Sequence, residues 1–179
     1  MTWLLLALAL AADPPPAAEA AKAPFDCPAG TELRGALPPE GFEVWCERMS
    51  EPPERRREGP WRSYYDDGRL AKAGAYRAGK LDGPFTEWHR NGRPARSGAY
   101  AGGEREGRFT IWFESGRVEE ACSYDRGEKH GPFATFWPHG GRKAEGRHCR
   151  GLQCGRWTSW DEAGRELGSV VYEEIRSDP

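Results

Sequence analysis

The chain is poor in aliphatic bulk, in long apolar runs and in blocks of one charge. Hydrophobic residues make up 37% of its 179 positions, and 26 basic and 28 acidic side chains give a net charge of −2. The apolar stretch at residues 3–12 is shorter than the ~20 residues that a membrane-spanning helix needs. We therefore expect no thick aliphatic core, no transmembrane segment and no nucleic-acid partner, since nucleic-acid binding needs a basic stripe.

Residues arranged for catalysis or for metal binding are also lacking. No Ser/His/Asp set, carboxylate pair or phosphate-binding loop stands apart from the rest of the pattern. His139, His148, Cys149 and Cys154 have a spacing that matches no usual zinc pattern. The sequence therefore predicts a protein that is not an enzyme and that holds no cofactor or metal.

Glycine and aromatic residues, by contrast, are plentiful and periodic. The chain has 23 glycines, and one of them opens each of five consecutive units with a period of 24 residues, the last of which is two residues shorter. These units cover 59–82, 83–106, 107–130, 131–154 and 155–176. A fixed period of this length indicates a repeat architecture in which each unit packs on its neighbours. In each unit an aromatic follows the glycine two places on, a second aromatic follows three places later, and another glycine comes four places after that.

Each unit contains two turn signals, which predict one β-hairpin per unit. Pairs such as Asp67-Gly68 and Asn91-Gly92 favour a two-residue type I′ turn. Twelve residues later, pairs such as Gly79-Lys80 favour a type II′ turn. The predicted fold is all-β: an elongated, single-layer antiparallel β-hairpin repeat of about ten strands. A bulge can shift this register locally.

The predicted register places large rings beside glycines along one face of the sheet. Rings lying over bare backbone supply the packing that glycine lacks. Cys122 lies in the glycine column, where we interpret it as a small buried filler, with a reactive thiol as the alternative. The residues assigned this structural role are Gly74, Gly98 and Gly146 together with Trp61, Phe85, Phe109, Phe133 and Trp157.

The second aromatic of each unit points to the other face and forms what we call the aromatic row. A single-layer sheet cannot hide both faces, so we expect part of this row to be exposed, with Trp88 and Trp112 among the exposed members. Exposed apolar stripes usually mark contact sites. The row is the predicted partner-binding surface, and its members are Tyr64, Trp88, Trp112, Phe136 and Trp160.

The region before the repeats divides by composition into four segments. Residues 1–12 are typical of a signal peptide, cleaved near Ala11-Ala12, which predicts a periplasmic or secreted protein. A Pro/Ala linker at 13–24, a cysteine-bearing module at 25–48 and a charged connector at 49–58 follow. We expect the strand at 42–46 to pair beside 59–65 and so to protect that edge of the sheet.

The five cysteines suit an oxidising compartment. Cys27 and Cys46 lie in a short module with little core, so a disulfide between them is expected to stabilise it. Cys149 and Cys154 flank a predicted turn and form the second expected disulfide.

The repeat resembles the MORN family, in the variant found in bacterial YwqK-type antitoxin proteins. The resemblance rests on the frame from Gly59 to Gly68 and on Gly74-Ala-Tyr76 followed by Gly79-Lys80. It implies a β-hairpin solenoid with a role in contacting proteins or lipids. The leading hypothesis is an exported protein-interaction scaffold. A lipid- or glycan-associated envelope module and an antitoxin-like partner of a toxin remain alternatives.

Overall fold

The computed structural model describes residues 13–50 and 54–173, and almost all of this part of the chain forms one antiparallel sheet. The sheet has thirteen strands among the described residues and does not close on itself. One helical turn, α1 at Ala17–Ala20, precedes it. The strands are β1 Glu32–Ala36, β2 Glu43–Ser50, β3 Glu54–Tyr64, β4 Leu70–Arg77, β5 Lys80–Leu81, β6 Gly83–Trp88, β7 Pro94–Ala101, β8 Glu104–Trp112, β9 Val118–Asp125, β10 Glu128–Phe136, β11 Arg142–Cys149, β12 Leu152–Trp160 and β13 Glu166–Tyr172.

The strands follow one another across the sheet in sequence order, which confirms the predicted up-and-down repeat. Ten of them, β3, β4 and β6 to β13, come from the five units, while the two-residue β5 pairs with β4 outside the main path. β1 and β2 extend the sheet at its N-terminal edge. The expected pairing of residues 42–46 beside 59–65 is present, because Trp45 faces Trp61. The predicted signal peptide at 1–12 and the end of the last unit lie outside the described residues.

The predicted ring and glycine register is also observed. The facing pairs are Trp61 with Gly74, Phe85 with Gly98, Phe109 with Cys122, Phe133 with Gly146 and Trp157 with Val170. On this face, which we call the ring–glycine face, Tyr100 stands edge-on between Phe85 and Phe109, with ring centroids 5.5 and 5.6 Å away. Edge-to-face contacts of this kind stabilise a sheet beyond the area they bury. The glycines are therefore needed as the space into which the rings fit.

The turn types differ from the prediction, although the register away from the turns does not. In the first turn Tyr65 N donates to Arg69 O at 2.8 Å, and Gly68, with φ 80°, is the residue in the left-handed region. The loop is thus three residues long, a type I turn followed by a glycine, and the Asp67 carboxylate accepts the Arg69 N–H at 3.0 Å. That hydrogen bond satisfies the backbone N–H of Arg69, and Asp67 does not adopt the positive φ that a type I′ turn requires.

The second turn lies one residue earlier than predicted. Ala78 and Gly79 both have positive φ, at 50° and 81°, so this is a type I′ turn and not a type II′ turn at Gly79-Lys80. Further on, a bulge restores the register: in β7–β8, Ala99 faces Glu106 near the turn but Ser97 faces Thr110 beyond it. The bulge coincides with the glycine that opens the unit, where Gly107 has φ 68°.

Hydrogen bonds from each turn to the preceding unit hold neighbouring hairpins together. The first N–H of the second turn donates to an acidic side chain twenty residues earlier: Ala78 to Glu58 at 2.7 Å, Gly102 to Asp82 at 3.1 Å and Arg126 to Glu106 at 3.1 Å. The following glycine N–H of each turn donates to a backbone carbonyl of the preceding unit. The three acids recur every 24 residues, a spacing that the sequence shows but that the sequence analysis did not use.

Both expected disulfides are present, and they lie at the two ends of the repeat array. Cys27 and Cys46, with Cα atoms 5.5 Å apart, join the chain before β1 to β2. Cys149 and Cys154 have Cα atoms 5.8 Å apart. They are diagonal neighbours and not the facing pair that was predicted, because Cys154 faces Arg147 once the turn is displaced.

The charged connector predicted at 49–58 is largely strand. Met49 pairs with Arg55, and the backbone pairing continues to Arg57 facing Glu47. The ladder of β2 and β3 supplies hydrogen bonds that composition alone does not reveal.

Among the described residues, β13 is the last strand at the opposite end of the sheet. All residues of β13 are exposed, including Leu167, Val170 and Val171.

Candidate functional site

The aromatic row lies at the ends of successive strands. Its members close β3, β6, β8, β10 and β12, so each hairpin contributes one large ring just before its first turn. The repeat therefore places the five predicted binding residues in series across the sheet. The row comprises Tyr64, Trp88, Trp112, Phe136 and Trp160.

Exposure is uneven along this row, and the expectation that Trp88 and Trp112 are exposed is wrong. Trp88 is 2% exposed and Trp112 is 6% exposed, whereas Tyr64, Phe136 and Trp160 are half-buried. Trp88 is buried because another part of the chain lies against it.

The covering element is the N-terminal segment, residues 13–25, which sequence reasoning assigned to a linker as far as residue 24. Trp88 Nε1 donates a hydrogen bond of 2.9 Å to the Pro15 carbonyl, and Ala17 N donates one of 2.9 Å to the Gly92 carbonyl. The Ala17 side chain is buried in a cluster with Leu70 and Trp88. The segment has too few apolar side chains to fold alone, but Trp88 and Leu70 provide the apolar contacts that it lacks.

An arginine of β3 holds the other end of the N-terminal segment. The Arg62 guanidinium donates hydrogen bonds to the carbonyls of Ala23, at 2.7 Å, Ala21, at 3.3 Å, and Pro24, at 3.4 Å. It also lies over the Phe25 ring, 5.1 Å from its centroid. The N-terminal segment therefore crosses several strands on the face that carries the aromatic row.

A groove continues from the N-terminal segment beyond Pro14. It has a volume of about 380 Å³ and is lined on its apolar side by Pro14, Trp112 and Val118. Glu106 and Arg108 supply charged groups of opposite sign on its wall. Small-molecule and peptide sites typically combine an apolar floor with a few polar groups in this way.

The ring–glycine face contains the two groups with informative pKa shifts. Burial raises the pKa of the Cys122 thiol to about 11, with the Glu120 carboxylate adding to the effect. Cys122 is buried where Phe109 and Phe133 face it from the two neighbouring strands, which favours the filler interpretation over a reactive thiol.

His148 occupies the place of the repeat's tyrosine on the same face. Burial lowers the pKa of His148, and the Lys129 ammonium lowers it further. Its ring lies 4.9 Å from that of Phe133 and 5.0 Å from that of Trp157, measured between centroids. His148 is therefore packed as an aromatic residue.

Within residues 13–50 and 54–173, no group of three or more His, Cys, Asp or Glu side chains is placed to hold a metal ion. In the same part of the chain, no helix is long and apolar enough to cross a membrane.

Comparison with known proteins supports the repeat. Residues 57–77 match a family model described as a MORN repeat variant, so the chain carries a MORN-type repeat. No curated protein matches the chain significantly. A chain of the crystal structure of the GtfA/B complex bound to UDP and GlcNAc is similar over 83% of this chain and 25% of that chain, with 11% identity and a TM-score of 0.25. This chain thus spans about a quarter of that one, and a similarity at this level carries no functional argument.

Proposed function

We propose that the protein is a non-enzymatic, exported interaction module that binds an extended segment of a protein partner along its aromatic row. One observation carries this proposal: the N-terminal segment already lies on the row in this manner, with Trp88 donating a hydrogen bond to the Pro15 carbonyl at 2.9 Å. A surface that binds one extended stretch of polypeptide has the donors and the apolar floor to bind another.

The unoccupied part of the row is the proposed contact surface. Phe136 and Trp160 are half-buried, so each ring presents part of its surface to solvent. Large aromatic residues that are partly exposed and held by their neighbours are the side chains that most often dominate binding energy at interfaces.

Export is supported by the disulfides at the two ends of the array, because disulfides persist in oxidising compartments. Expression in a Gram-negative host, followed by the intact mass of the purified protein, tests this part. We expect loss of the residues before the cleavage site near Ala11-Ala12 and four fewer hydrogens for two disulfides. An uncleaved and reduced chain would instead favour the alternative that the protein is a YwqK-type antitoxin of the cytoplasm.

The contact surface is tested by capture from a cell-envelope extract with immobilised protein. Trp160→Ala removes a half-buried ring of the row, while Leu167→Ala removes an exposed apolar side chain from the edge strand and serves as the control for loss of apolar surface outside the row. We expect partners to be lost with Trp160→Ala and retained with Leu167→Ala. Equal capture by both variants contradicts the proposal, and binding only to lipid vesicles or cell-wall polymers would favour the envelope alternative.

A further inference from the structure

The part of the N-terminal segment that contacts Trp88 has the backbone conformation of polyproline II. Pro16 has φ −55° and ψ 153°, within the usual scatter of that helix. Pro14 and Pro15 each precede a proline, which restricts both to extended conformations. Such a helix makes no internal hydrogen bonds, so its carbonyl groups are available to a receptor.

The surface beneath the three prolines is suited to a ligand that accepts hydrogen bonds, because the Trp88 indole N–H donates to the Pro15 carbonyl there. Proline has a carbonyl but no N–H. At the prolines the sheet offers the Trp88 indole N–H, which can only donate, whereas after them the Gly92 carbonyl accepts from Ala17 N–H and the Arg62 guanidinium donates to carbonyls of residues 21–24. The Trp88 ring adds a flat apolar floor. Aromatic-lined grooves bind proline-rich segments by this combination.

The groove extends beyond the part that residues 14–25 cover. Trp112 and Val118 line a cavity of about 380 Å³ past Pro14, in which the Trp112 ring is largely buried. A longer ligand that follows the same path would therefore reach a cavity whose wall contains a second indole one hairpin further along.

We propose that the groove between Trp88 and Trp112 is a binding site for proline-rich extended segments, and that Pro14–Pro16 of this chain are its resident ligand. A proline-rich segment of a partner binds by displacing them. This inference rests on the proposed interaction function and names the chemistry of its ligand.

The resident segment lowers the apparent affinity of the site for a ligand that is not part of the chain. A tethered ligand has an effective concentration on the order of 1 mM, so a resident segment whose own intrinsic Kd is about 0.1 mM raises the apparent Kd of an external ligand about tenfold. Loosening the resident segment should therefore tighten binding of an external peptide by about tenfold.

The experiment uses the full chain with the three prolines replaced, P14G/P15G/P16G, beside the unchanged protein. The probe is a fluorescein-labelled peptide with the sequence of residues 13–24, DPPPAAEAAKAP. A second peptide has alanine in place of the three consecutive prolines. Fluorescence anisotropy gives each Kd, and near-UV circular dichroism verifies that the fold is retained. The single variant P15G repeats the measurement with a smaller change to the chain, in case the triple variant does not fold.

The expected result is a Kd for the proline peptide that is about tenfold lower with the triple variant than with the unchanged chain. The alanine peptide should bind at least several-fold more weakly. Adding Trp88→Phe, which keeps an aromatic ring but removes the indole N–H, should weaken binding, whereas Trp137→Phe should not. Trp137 is the matched control because its indole donates to the Trp160 carbonyl, at 3.3 Å, and not to the N-terminal segment.

Equal binding of the proline and alanine peptides, or no effect of Trp88→Phe, would overturn the inference. The same holds if a folded variant with a released segment binds neither peptide. In either case, partner capture that still depends on Trp160 would leave the proposed interaction function standing, so the two failures are distinguishable.

Discussion

The packing of rings over glycine predicts that alanine has different effects on stability at two glycines that occupy equivalent positions in the repeat. Gly74 and Gly98 both lie outside the positive-φ region, so their backbone accepts any residue. A Cβ at Gly98 would lie 2.5–2.6 Å from three carbons of the Phe109 ring. A Cβ at Gly74 would have Phe85 as its nearest neighbour at 3.5 Å, which is ordinary contact. Gly98→Ala should therefore be destabilising, and Gly74→Ala should not.

The magnitude follows from two opposing effects. Replacing glycine by alanine within a strand stabilises by roughly 0.5–1 kcal/mol, because the unfolded chain loses freedom. Overpacking a filled site costs about 1–3 kcal/mol. We expect Gly74→Ala to be neutral or slightly stabilising. The free energy of unfolding of Gly98→Ala should be about 2 kcal/mol lower than that of Gly74→Ala, which corresponds to a melting temperature lower by about 4–8 °C.

Urea unfolding of the oxidised protein, followed by tryptophan fluorescence, measures both variants. The substitution Phe109→Leu provides the internal check, because the penalty of Gly98→Ala should shrink once the ring is gone. Equal stability of the two glycine variants, or a penalty at Gly98 that Phe109→Leu leaves unchanged, would refute the reasoning that the ring requires the bare backbone.

Three further outcomes are expected from single residues. Because burial raises the pKa of Cys122 from 9.0 to about 11, iodoacetamide should alkylate it about a hundredfold more slowly in the folded protein than in urea, measured by intact mass; equal rates would contradict this. The pKa of His148 is lowered below 6.5 by burial and by Lys129, with Glu120 opposing, so the unfolded state binds more protons and stability should fall as pH drops below about 6.5. Urea midpoints at neutral and acidic pH should show this loss, and His148→Tyr should reduce it; the same loss in that variant would assign it to other groups. Ala78 has φ 50°, a strained conformation for alanine, so Ala78→Gly should raise stability by about 0.5–1 kcal/mol in thermal unfolding, and a lower melting temperature would count against the turn assignment.

The repeat pattern was sufficient to predict the hairpins and most of the register because the interactions involved are local. Phe85 faces Gly98 thirteen residues later, and the alternation of large and small residues leaves one register in which rings meet glycines. The Cys149–Cys154 disulfide followed from the predicted turn, and the Cys27–Cys46 disulfide followed from the short module with little core. The turn types did not, since Gly79 has positive φ in the predicted turn and in the observed one, and only the neighbouring Ala78 distinguishes them.

The sequence by itself determined an open antiparallel array of hairpins with one face of rings over glycines and a second face carrying the aromatic row. Only the tertiary structure decided which members of that row remain accessible. Pro15 and Trp88 are 73 residues apart in the sequence. A short Pro/Ala stretch has no periodicity from which its packing against Trp88 could be predicted. Its binding depends on an indole donor, an arginine and a small apolar cluster that come together only after the sheet has formed.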